Sequence, residues 1–417
     1  MAIGYRDGAF QKPKKNHEET HERHAMKPLE GIKVVSLEQA IAAPFASRQL
    51  GELGARVIKV ERPGVGDFAR AYDDKVRGMS SQFMWTNRSK ESITLDLKEA
   101  EGLEVLKRLL ADADVFIQNL APGAIARLGL SDEVLRAEFP QLIICHISGY
   151  GRSGPYANKK AYDLLVQCEL GVPGINGTPG GQAKIGIAVA DIATGMYAYS
   201  GILTSLIQRG RTGKGVIFEV SLFDALAEWM SYPIYYQKYG GVDLPRTGTR
   251  HSAISPYGPF KASDGKEVFL GIQNEREWKN FCDQVLLAPQ VATDPRFINN
   301  SLRVVNRDAL EALVAQHFQR FDSEQAIARL ESAGIANARL NSIMELLSHP
   351  QFTQRGRWRQ VDSPVGPVEM LLPPVTSDDF EPQLGAVPAV GQHTDSVLAA
   401  LGFDSAAIAA LRDKHII

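Results

Sequence analysis

Short apolar runs alternate with segments of helical periodicity over the first half of the 417-residue chain. Strands are predicted where β-branched and other apolar residues cluster, at Lys33–Leu37, Ala55–Glu61, Ser92–Leu95, Val115–Gln118, Leu142–Ile147 and Val216–Val220. Between them, the segment Ala100–Leu110 places Leu103, Leu106, Leu109 and Leu110 on one helical face. This alternation predicts the α/β class, in which a mostly parallel sheet carries helices on its faces.

The pattern changes after residue 221. Residues 222–239 predict a helix that breaks near Pro233, and the Gly/Pro-rich stretch GGVDLPRTGTRHSAISPYGPF follows as a linker. An Asp264-Gly265 turn predicts a hairpin, helical segments continue to about Ser348, and a strand region (360–375) precedes a terminal helix, Thr394–Leu401. We therefore expect a polar, disordered N-terminal arm (1–26), a large α/β domain (27–225), a linker (226–255), a small domain (256–340) and a C-terminal return to the large domain (341–417).

Composition narrows the function classes only slightly. A net charge of −2 with 23% charged residues gives no global reason to expect nucleic acid or an anionic membrane as a partner. Cys145, Cys168 and Cys282 are scattered and form no framework, which is typical of a reducing compartment such as the cytoplasm. Neither a signal peptide nor a membrane span is predicted.

Two motifs suggest chemistry that their surroundings do not support. His17-Glu18-Glu19-Thr20-His21 matches the HExxH zinc pattern, but its flanks lack the apolar face that such a helix needs, so we expect no metal site. The first strand–helix–strand unit ends on Glu61, where a dinucleotide-binding fold places its ribose-reading carboxylate. Its turn, residues 39–44, lacks the Gly-x-Gly-x-x-Gly that lets a backbone approach pyrophosphate, which disfavours an NAD-dependent oxidoreductase.

Asp191 is the most unusual chemical feature, because it interrupts a run of small and apolar residues just before a long helix. The helix is predicted to bury one stripe and to end at a Gly210 C-cap; the stripe comprises Ile192, Met196, Tyr199, Leu203, Leu206 and Ile207. Asp191 is interpreted as the N-cap and also, since the two roles do not exclude each other, as a nucleophile whose pKa the helix N-terminus lowers. Ala190, Ala193 and Gly195 would leave room for a bulky ligand.

Six collinear segments resemble the class III CoA-transferases, the relatives of formyl-CoA transferase and carnitine CoA-transferase. They are PLEGIKVVSLEQAIAAPFASRQLGELGARVIKVERPGVGDFAR, SITLDLKEAEG, DVFIQNLAPGAIARLGL, ISGYGRSGPYANKKAYDLLVQ, GIAVADIATGMYAYSGIL and GKGVIFEVSLFDA. The resemblance extends over nearly everything after residue 26. It implies a large doubly wound Rossmann-like domain, a smaller α+β domain, and a ring-shaped chain in an interlocked homodimer.

The resemblance also implies a role for individual residues. Asp191 matches the family's catalytic aspartate, which exchanges one CoA thioester for another through aspartyl anhydride and aspartyl-CoA intermediates without ATP, metal or a permanently bound cofactor. The positions that match CoA contacts are Ala40, Ile41, Ala42, Arg62, Leu95, Asn119, Leu120, Arg127 and Lys160. Ile41 replaces a glutamine of formyl-CoA transferase and Leu120 an aromatic residue, which disfavours formate or oxalate as the substrate.

Three alternatives accompany this interpretation. The α-methylacyl-CoA racemases of the same fold need a second base, in a Gly-His-Asp sequence, where this chain has Ala161-Tyr162-Asp163. Because the reference pKa of tyrosine is about 10, Tyr162 favours the transferase. Intramolecular CoA transfer within mesaconyl-CoA is a close variant. A non-catalytic acyl-CoA-binding protein would have no use for Asp191.

The acids that are exchanged are predicted from four cationic or titratable side chains. Arg48, Arg70, Arg250 and His251 are candidates to hold a distal carboxylate, since arginine binds carboxylates in a bidentate manner. Tyr162 is a further candidate substrate contact. The prediction is a succinyl-CoA donor with a dicarboxylic acceptor of four to six carbons, such as itaconate, mesaconate, citramalate or malate.

Overall fold

A six-stranded parallel sheet forms the centre of the protein in the computed structural model, which describes residues 26–417. The strands before residue 222 are β1 (Lys33–Leu37), β2 (Arg56–Glu61), β3 (Glu91–Thr94), β4 (Val115–Gln118), β5 (Ile143–Ser148), the two-residue strands β6 (Gly177–Thr178) and β7 (Gly181–Gln182), and β8 (Ile217–Ser221). The sheet has the order β3-β2-β1-β4-β5-β8, and every pair in it is parallel. The six predicted strands are confirmed to within one residue at each end.

Helices cover both faces of this sheet. They are α1 (Ala42–Glu52), α2 (Ser81–Asn87), α3 (Ala100–Ala111), α4 (Ala124–Arg127), α5 (Asp132–Glu138), α6 (Asp163–Glu169), α7 (Val172–Ile175), α8 (Val189–Thr212), α9 (Leu222–Trp229) and α10 (Ser231–Gly240), with a 3-10 turn at Phe68–Ala71. Alternate residues of one strand enter different cores. Val34 packs with α1 and α8, whereas Val35 packs with α3 and the C-terminal helices. A sheet buried on both sides explains why its strands are continuous apolar runs.

The long helix α8 buries many of its small residues fully and the predicted large apolar stripe only in part, since Tyr199, Leu203 and Leu206 pack half-buried against the core. Ala193 and Ala198 are fully buried, while Met196 and Ile207 are 39% and 60% exposed. At Gly195 a Cβ atom would lie 2.8 Å from the carbonyl oxygen of Ala42, so the glycine permits close packing of α8 on α1. The small residues therefore serve helix packing and do not make room for a ligand. The helix also continues past Gly210 and ends at Gly213, which is left-handed.

A second core lies beyond α10. The break between α9 and α10 falls at Met230, three residues before the predicted Pro233, which lies inside α10. The strands β9 (Tyr257–Lys261), β10 (Glu267–Gly271) and β11 (Ala336–Arg339) form an antiparallel sheet, and β9 and β10 are the predicted hairpin. Around it pack α11 (Glu275–Asn280), a π turn (Phe281–Val285), a 3-10 turn (Pro289–Thr293), α12 (Asn300–Val305), α13 (Arg307–Phe318) and α14 (Ser323–Ser332).

The C-terminal segment returns to the large sheet. It comprises α15 (Ile343–Leu347), α16 (Pro350–Thr353), the hairpin strands β12 (Trp358–Val361) and β13 (Val368–Leu371), α17 (Thr394–Ala400) and α18 (Ser405–Asp413). The helix α18 is absent from the predicted pattern. The N–H groups of Ser92 and Thr94 on the edge strand β3 donate to His393 and Thr394 at 3.1 Å each, so this segment protects a sheet edge.

The sheet order fixes where a ligand can bind. Strands β2 and β3 lie on one side of β1, whereas β4, β5 and β8 lie on its other side. A crevice therefore opens between β1 and β4 at their carboxyl ends. Within residues 26–417, no helix is long and apolar enough to cross a membrane. The HExxH sequence at 17–21 lies outside the described residues.

Candidate active site

A cavity of about 740 Å³ lies in this crevice, and we call it the Asp191 cavity. The loop after β1 (residues 39–42), the loop after β4 (119–123) and the segment 157–164 line it. Two bonds join the first two loops: the Asn119 side-chain amide donates to the Gln39 carbonyl at 2.8 Å and accepts the Gln39 N–H at 2.9 Å. The sheet therefore brings together groups that are distant in sequence.

Asp191 is the third residue of α8, and Asp163 caps the start of that helix. The N–H of Ala190 donates to Asp163 Oδ1 at 2.7 Å, and the N–H of Asp191 donates to the same oxygen at 3.3 Å. Gln167 holds the other carboxylate oxygen at 2.6 Å. The N-cap interpretation of Asp191 is therefore wrong, because a carboxylate from α6 performs that task. Asp191 is left facing the cavity.

The electrostatic setting of Asp191 is also the reverse of the predicted one. Burial raises the pKa of Asp191 to about 7, and the negative charge of Asp163 adds to the rise. The favourable field of the helix N-terminus was expected to lower this pKa. Desolvation and a neighbouring carboxylate both oppose ionisation, and they dominate here. A carboxylate in a cavity whose pKa is raised this far is a candidate functional group.

A second cavity, of about 540 Å³, adjoins the first, and we call it the Arg62 cavity. Gln39, Phe68 and Leu120 line both cavities, so the two form one path from Asp191 to Arg62. Arg62 and Leu95, predicted as CoA contacts, line this cavity together with Lys98 and His415. Glu61 and Asp96 also line this cavity. Glu61 is paired with Arg70, and Arg62 and Lys98 are the side chains suited to an anionic ligand.

The other predicted CoA contacts are distributed along the same path. Ala40, Ile41, Ala42, Asn119, Leu120 and Lys160 line the Asp191 cavity. Arg127 lines neither cavity, but its guanidinium donates to the carbonyl of Pro122 at 3.3 Å, and Pro122 is part of the cavity wall. It therefore lies at the rim.

The position of Arg48 does not support its predicted role, since it lies outside both cavities. Its side chain is 6% exposed, pairs with Glu52 at 3.3 Å and donates to the Trp85 carbonyl at 3.0 Å. The Phe45 ring lies 4.8 Å from the guanidinium. Packing and pairing already occupy this arginine, so it is not available to hold a substrate carboxylate.

Arg70 is occupied in a similar way. It forms a bidentate pair with Glu61 at 2.9 and 2.6 Å, and it covers the Phe83 ring at 3.8 Å. This pairing lowers the pKa of Glu61 to about 2 although burial acts in the opposite direction. Arg70 lines neither cavity. This placement therefore does not support the predicted grip of Arg70 on a distal carboxylate either.

Arg250 and His251 also lie outside both cavities of the described chain. Arg250 pairs with Glu311 at 2.6 Å, and the His251 ring stacks on Tyr257 with 5.2 Å between centroids. Their assignment as substrate contacts is not supported by this placement. Tyr162, in contrast, does line the Asp191 cavity and is 62% exposed.

Several cavity residues were not predicted. Tyr72 lines the Asp191 cavity, and burial together with the charges of Asp67 and Asp191 raises its pKa to about 12, so its hydroxyl stays a donor. Gln118 and His146 also line the cavity. Gln118 bonds to His146 Nδ1 at 2.7 Å, and His146 Nε2 bonds to Asp132 at 2.8 Å. No cluster of metal-ligating side chains occurs among residues 26–417.

Comparison with known proteins gives a consistent result. The sequence model described as CoA-transferase family III matches residues 29–394. Human succinyl-CoA:glutarate CoA-transferase is 33% identical over 397 residues, which is 94% of this chain and 90% of that protein. Succinyl-CoA–D-citramalate CoA-transferase of Chloroflexus aurantiacus is 29% identical, with 94% and 98% covered.

A solved structure shares the fold. A CAIB/BAIF family protein from Brucella suis is 35% identical and superposes with a TM-score of 0.78 over 90% of this chain and 99% of that one. The α/β fold with its central parallel sheet is therefore shared with the CAIB/BAIF family protein.

Proposed function

The chain belongs to CoA-transferase family III, and from this premise we propose that it transfers CoA from succinyl-CoA to a dicarboxylic acid of four to six carbons. The observation that carries the reaction is the position of Asp191 in a cavity that adjoins the Arg62 cavity, where Arg62 and Lys98 line the wall. Glutarate and citramalate are the first acceptors to test, because relatives that act on them match nearly the whole chain.

CoA would lie along the path between the two cavities. The phosphorylated adenosine end would occupy the Arg62 cavity, where Arg62 and Lys98 can pair with phosphate. The pantetheine would pass Leu120 and Gln39, which line both cavities. The thioester would then reach Asp191, next to the start of α1, whose first N–H groups have no partner within the helix. These donors can stabilise the oxyanion that forms at the thioester carbonyl.

The chemistry is a double exchange on one carboxylate. Asp191 attacks the thioester carbonyl, the C–S bond breaks, and CoA thiolate leaves behind a mixed anhydride. The thiolate then attacks the aspartyl carbonyl, which releases the donor acid and forms an aspartyl-CoA thioester. The acceptor carboxylate attacks this thioester, and the returning thiolate takes the acceptor acyl group from the second anhydride. Each difficult acyl transfer is thereby divided into easier steps, and no metal or resident cofactor is needed.

Acceptor recognition falls to the neutral donors around Asp191. Tyr72, Tyr162 and Gln82 line the Asp191 cavity, and hydroxyl and amide groups can donate to a distal carboxylate. This replaces Arg48 and Arg70 in that role, since both are held in internal pairs. A cavity with an apolar Ile41 also suits a longer carbon chain better than formate or oxalate.

The first experiment mixes the protein with succinyl-CoA and, in separate reactions, glutarate, citramalate, mesaconate, itaconate, malate, formate, oxalate or carnitine. Mass spectrometry should detect a new CoA ester without ATP, with the dicarboxylates fastest. Absence of any new ester would overturn the proposal. If deuterium from heavy water then entered the α-carbon of a branched acyl-CoA, the racemase alternative would hold. Isomerisation of mesaconyl-CoA without a free acceptor would identify the intramolecular variant.

We also propose that the protein is a cytoplasmic homodimer whose ring-shaped chains interlock. Large apolar side chains are exposed on α8 and α10, among them Ile207 at 60% and Tyr239 at 76%. Such faces on a single chain are typical of an interface. Light scattering after size exclusion should therefore give twice the 45.7 kDa of one chain. A single-chain mass would contradict the dimer.

A further inference from the structure

Four charged side chains are completely buried behind the wall of the Asp191 cavity. Glu38 and Lys59 come from the carboxyl end of β1 and from β2, while Asp67 and Lys90 come from loops. All four side chains have 0% exposure, and two basic groups face two acidic ones. Burying two ion pairs costs desolvation that their attraction often only offsets, so apolar residues of similar size could give equal stability.

The cluster is connected internally by short bonds. Lys59 Nζ lies 2.7 Å from Asp67 Oδ2 and 3.5 Å from Glu38 Oε1. Lys90 Nζ lies 2.6 Å from the same Glu38 oxygen. These contacts fix the position of each charged group relative to the others. Asp67 Oδ1 also accepts the Ala69 N–H at 2.9 Å, and Lys90 Nζ donates to Asn87 Oδ1 at 3.0 Å. The other bonds of Asp67 and Lys90 reach the backbone of one turn.

That turn is residues 38–44, which precede and begin α1. The N–H of Ala40 donates to Asp67 Oδ1 at 3.1 Å, and Lys90 Nζ donates to the Pro44 carbonyl at 3.0 Å. Ala40 has φ 62°, a left-handed conformation that is unfavourable for a residue with a Cβ atom. The turn is thus held from two sides in a conformation that its sequence does not prefer.

We propose that Asp67, supported by Lys59, is a positioning residue that keeps the Ala40 turn in its left-handed conformation for CoA transfer. Ala40, Ile41 and Ala42 line the same cavity as Asp191, so a turn that relaxed would move the backbone facing the thioester carbonyl. Such a displacement reduces turnover when it disturbs the geometry of attack on the thioester. The inference rests on the proposed function, because the transfer at Asp191 supplies its readout.

Two double variants that differ in one hydrogen-bond acceptor test the inference. Lys59→Met with Asp67→Asn removes one ion pair, keeps the Glu38–Lys90 pair and retains a side-chain oxygen for the Ala40 N–H. Lys59→Met with Asp67→Leu removes that oxygen, which accepts both the Ala40 and the Ala69 N–H, at the same net charge. The double variant with Asp67→Asn should retain kcat to within about threefold. The double variant with Asp67→Leu should lose at least about tenfold in kcat with little change in the succinyl-CoA KM. A purely structural role would lower the melting temperature of both double variants without separating their kcat values.

Equal kcat values in the two folded double variants would overturn the proposal. Because Asp67→Leu also removes the acceptor of the Ala69 N–H, Ala40→Pro is measured in every case. It removes only the Ala40 N–H and forbids a positive φ while the buried charges stay intact. It should lower kcat at least about tenfold in a folded protein, and an unchanged kcat would again reject the idea. Wild-type protein that exchanges no CoA with any acceptor would reject the proposed function. That outcome differs from a loss of kcat that is confined to the variants.

Discussion

Replacing Asp191 by Asn or Ala should lower kcat for CoA exchange by about four orders of magnitude or more, because the covalent nucleophile is lost. The fold should survive, since Asp163 and not Asp191 caps the start of α8. Acceptor acid labelled with oxygen-18 gives the sharper measurement. In the anhydride mechanism one acceptor oxygen stays on Asp191 at each turnover, so the peptide that carries it becomes heavier in the wild type.

The matched control for this label is Glu138→Gln, which changes an exposed carboxylate at the end of α5; neither Glu138 nor its partner Lys107 lines either cavity. Its Asp191 peptide should acquire the label at the wild-type rate. Exchange that continues in Asp191→Ala, or wild-type turnover that leaves the Asp191 peptide unlabelled, would contradict the covalent mechanism.

Replacing Asp191 by Asn should also change the stability of the protein in a pH-dependent way. The pKa of Asp191 is raised from 3.8 in an unfolded setting to about 7 in the fold, so the folded protein prefers the protonated acid. The stability that this proton provides is complete below about pH 4 and is lost as the pH rises through about 7. Asp191→Asn lacks this loss. Its melting temperature should therefore exceed that of the wild type by more at pH 8 than at pH 5.

The fold was largely predictable because its signals are local. Each strand of the large sheet is a short apolar run, and burial on both faces makes such runs conspicuous. The helix α8 was harder, because it carries two stripes, one of large and one of small residues. The large stripe attracted the prediction, but α1 is also rich in small residues, and Gly195 packs directly on Ala42.

The site was predictable only where one residue suffices to mark it. Asp191 stood out from its neighbours. Asp163, 28 residues away, caps the start of α8 and raises the pKa of Asp191 by its negative charge, and no sequence pattern links the two. The Arg48–Glu52 pair could have been found, since the spacing is i,i+4 on a predicted helix. Arg70 reaches Glu61 only because the chain turns back between them, and a lone arginine in a sequence gives no sign of such a partner.

Asp163→Asn should shift the pH dependence of the transfer to lower pH. Only ionised Asp191 can attack a thioester, so the wild-type rate should rise as the pH passes through about 7. Burial is the larger cause of that raised pKa and the charge of Asp163 the smaller one. Removing the charge should lower the midpoint without returning it to the ordinary range of an aspartate, and the variant should keep a larger fraction of its maximal rate at pH 6 than the wild type does.

The geometry of this variant separates its electrostatic effect from a structural one. The Asn oxygen can still accept the Ala190 N–H, but its amide would face the Gln167 amide that now donates to Asp163 at 2.6 Å, so we expect a lower melting temperature. A lower stability changes the amount of folded enzyme and does not move the midpoint of its pH profile. Glu138→Gln, which removes a carboxylate outside both cavities, should keep the wild-type midpoint. If Asp163→Asn also keeps it, the charge of Asp163 does not control the ionisation of Asp191, and burial alone must account for the raised pKa.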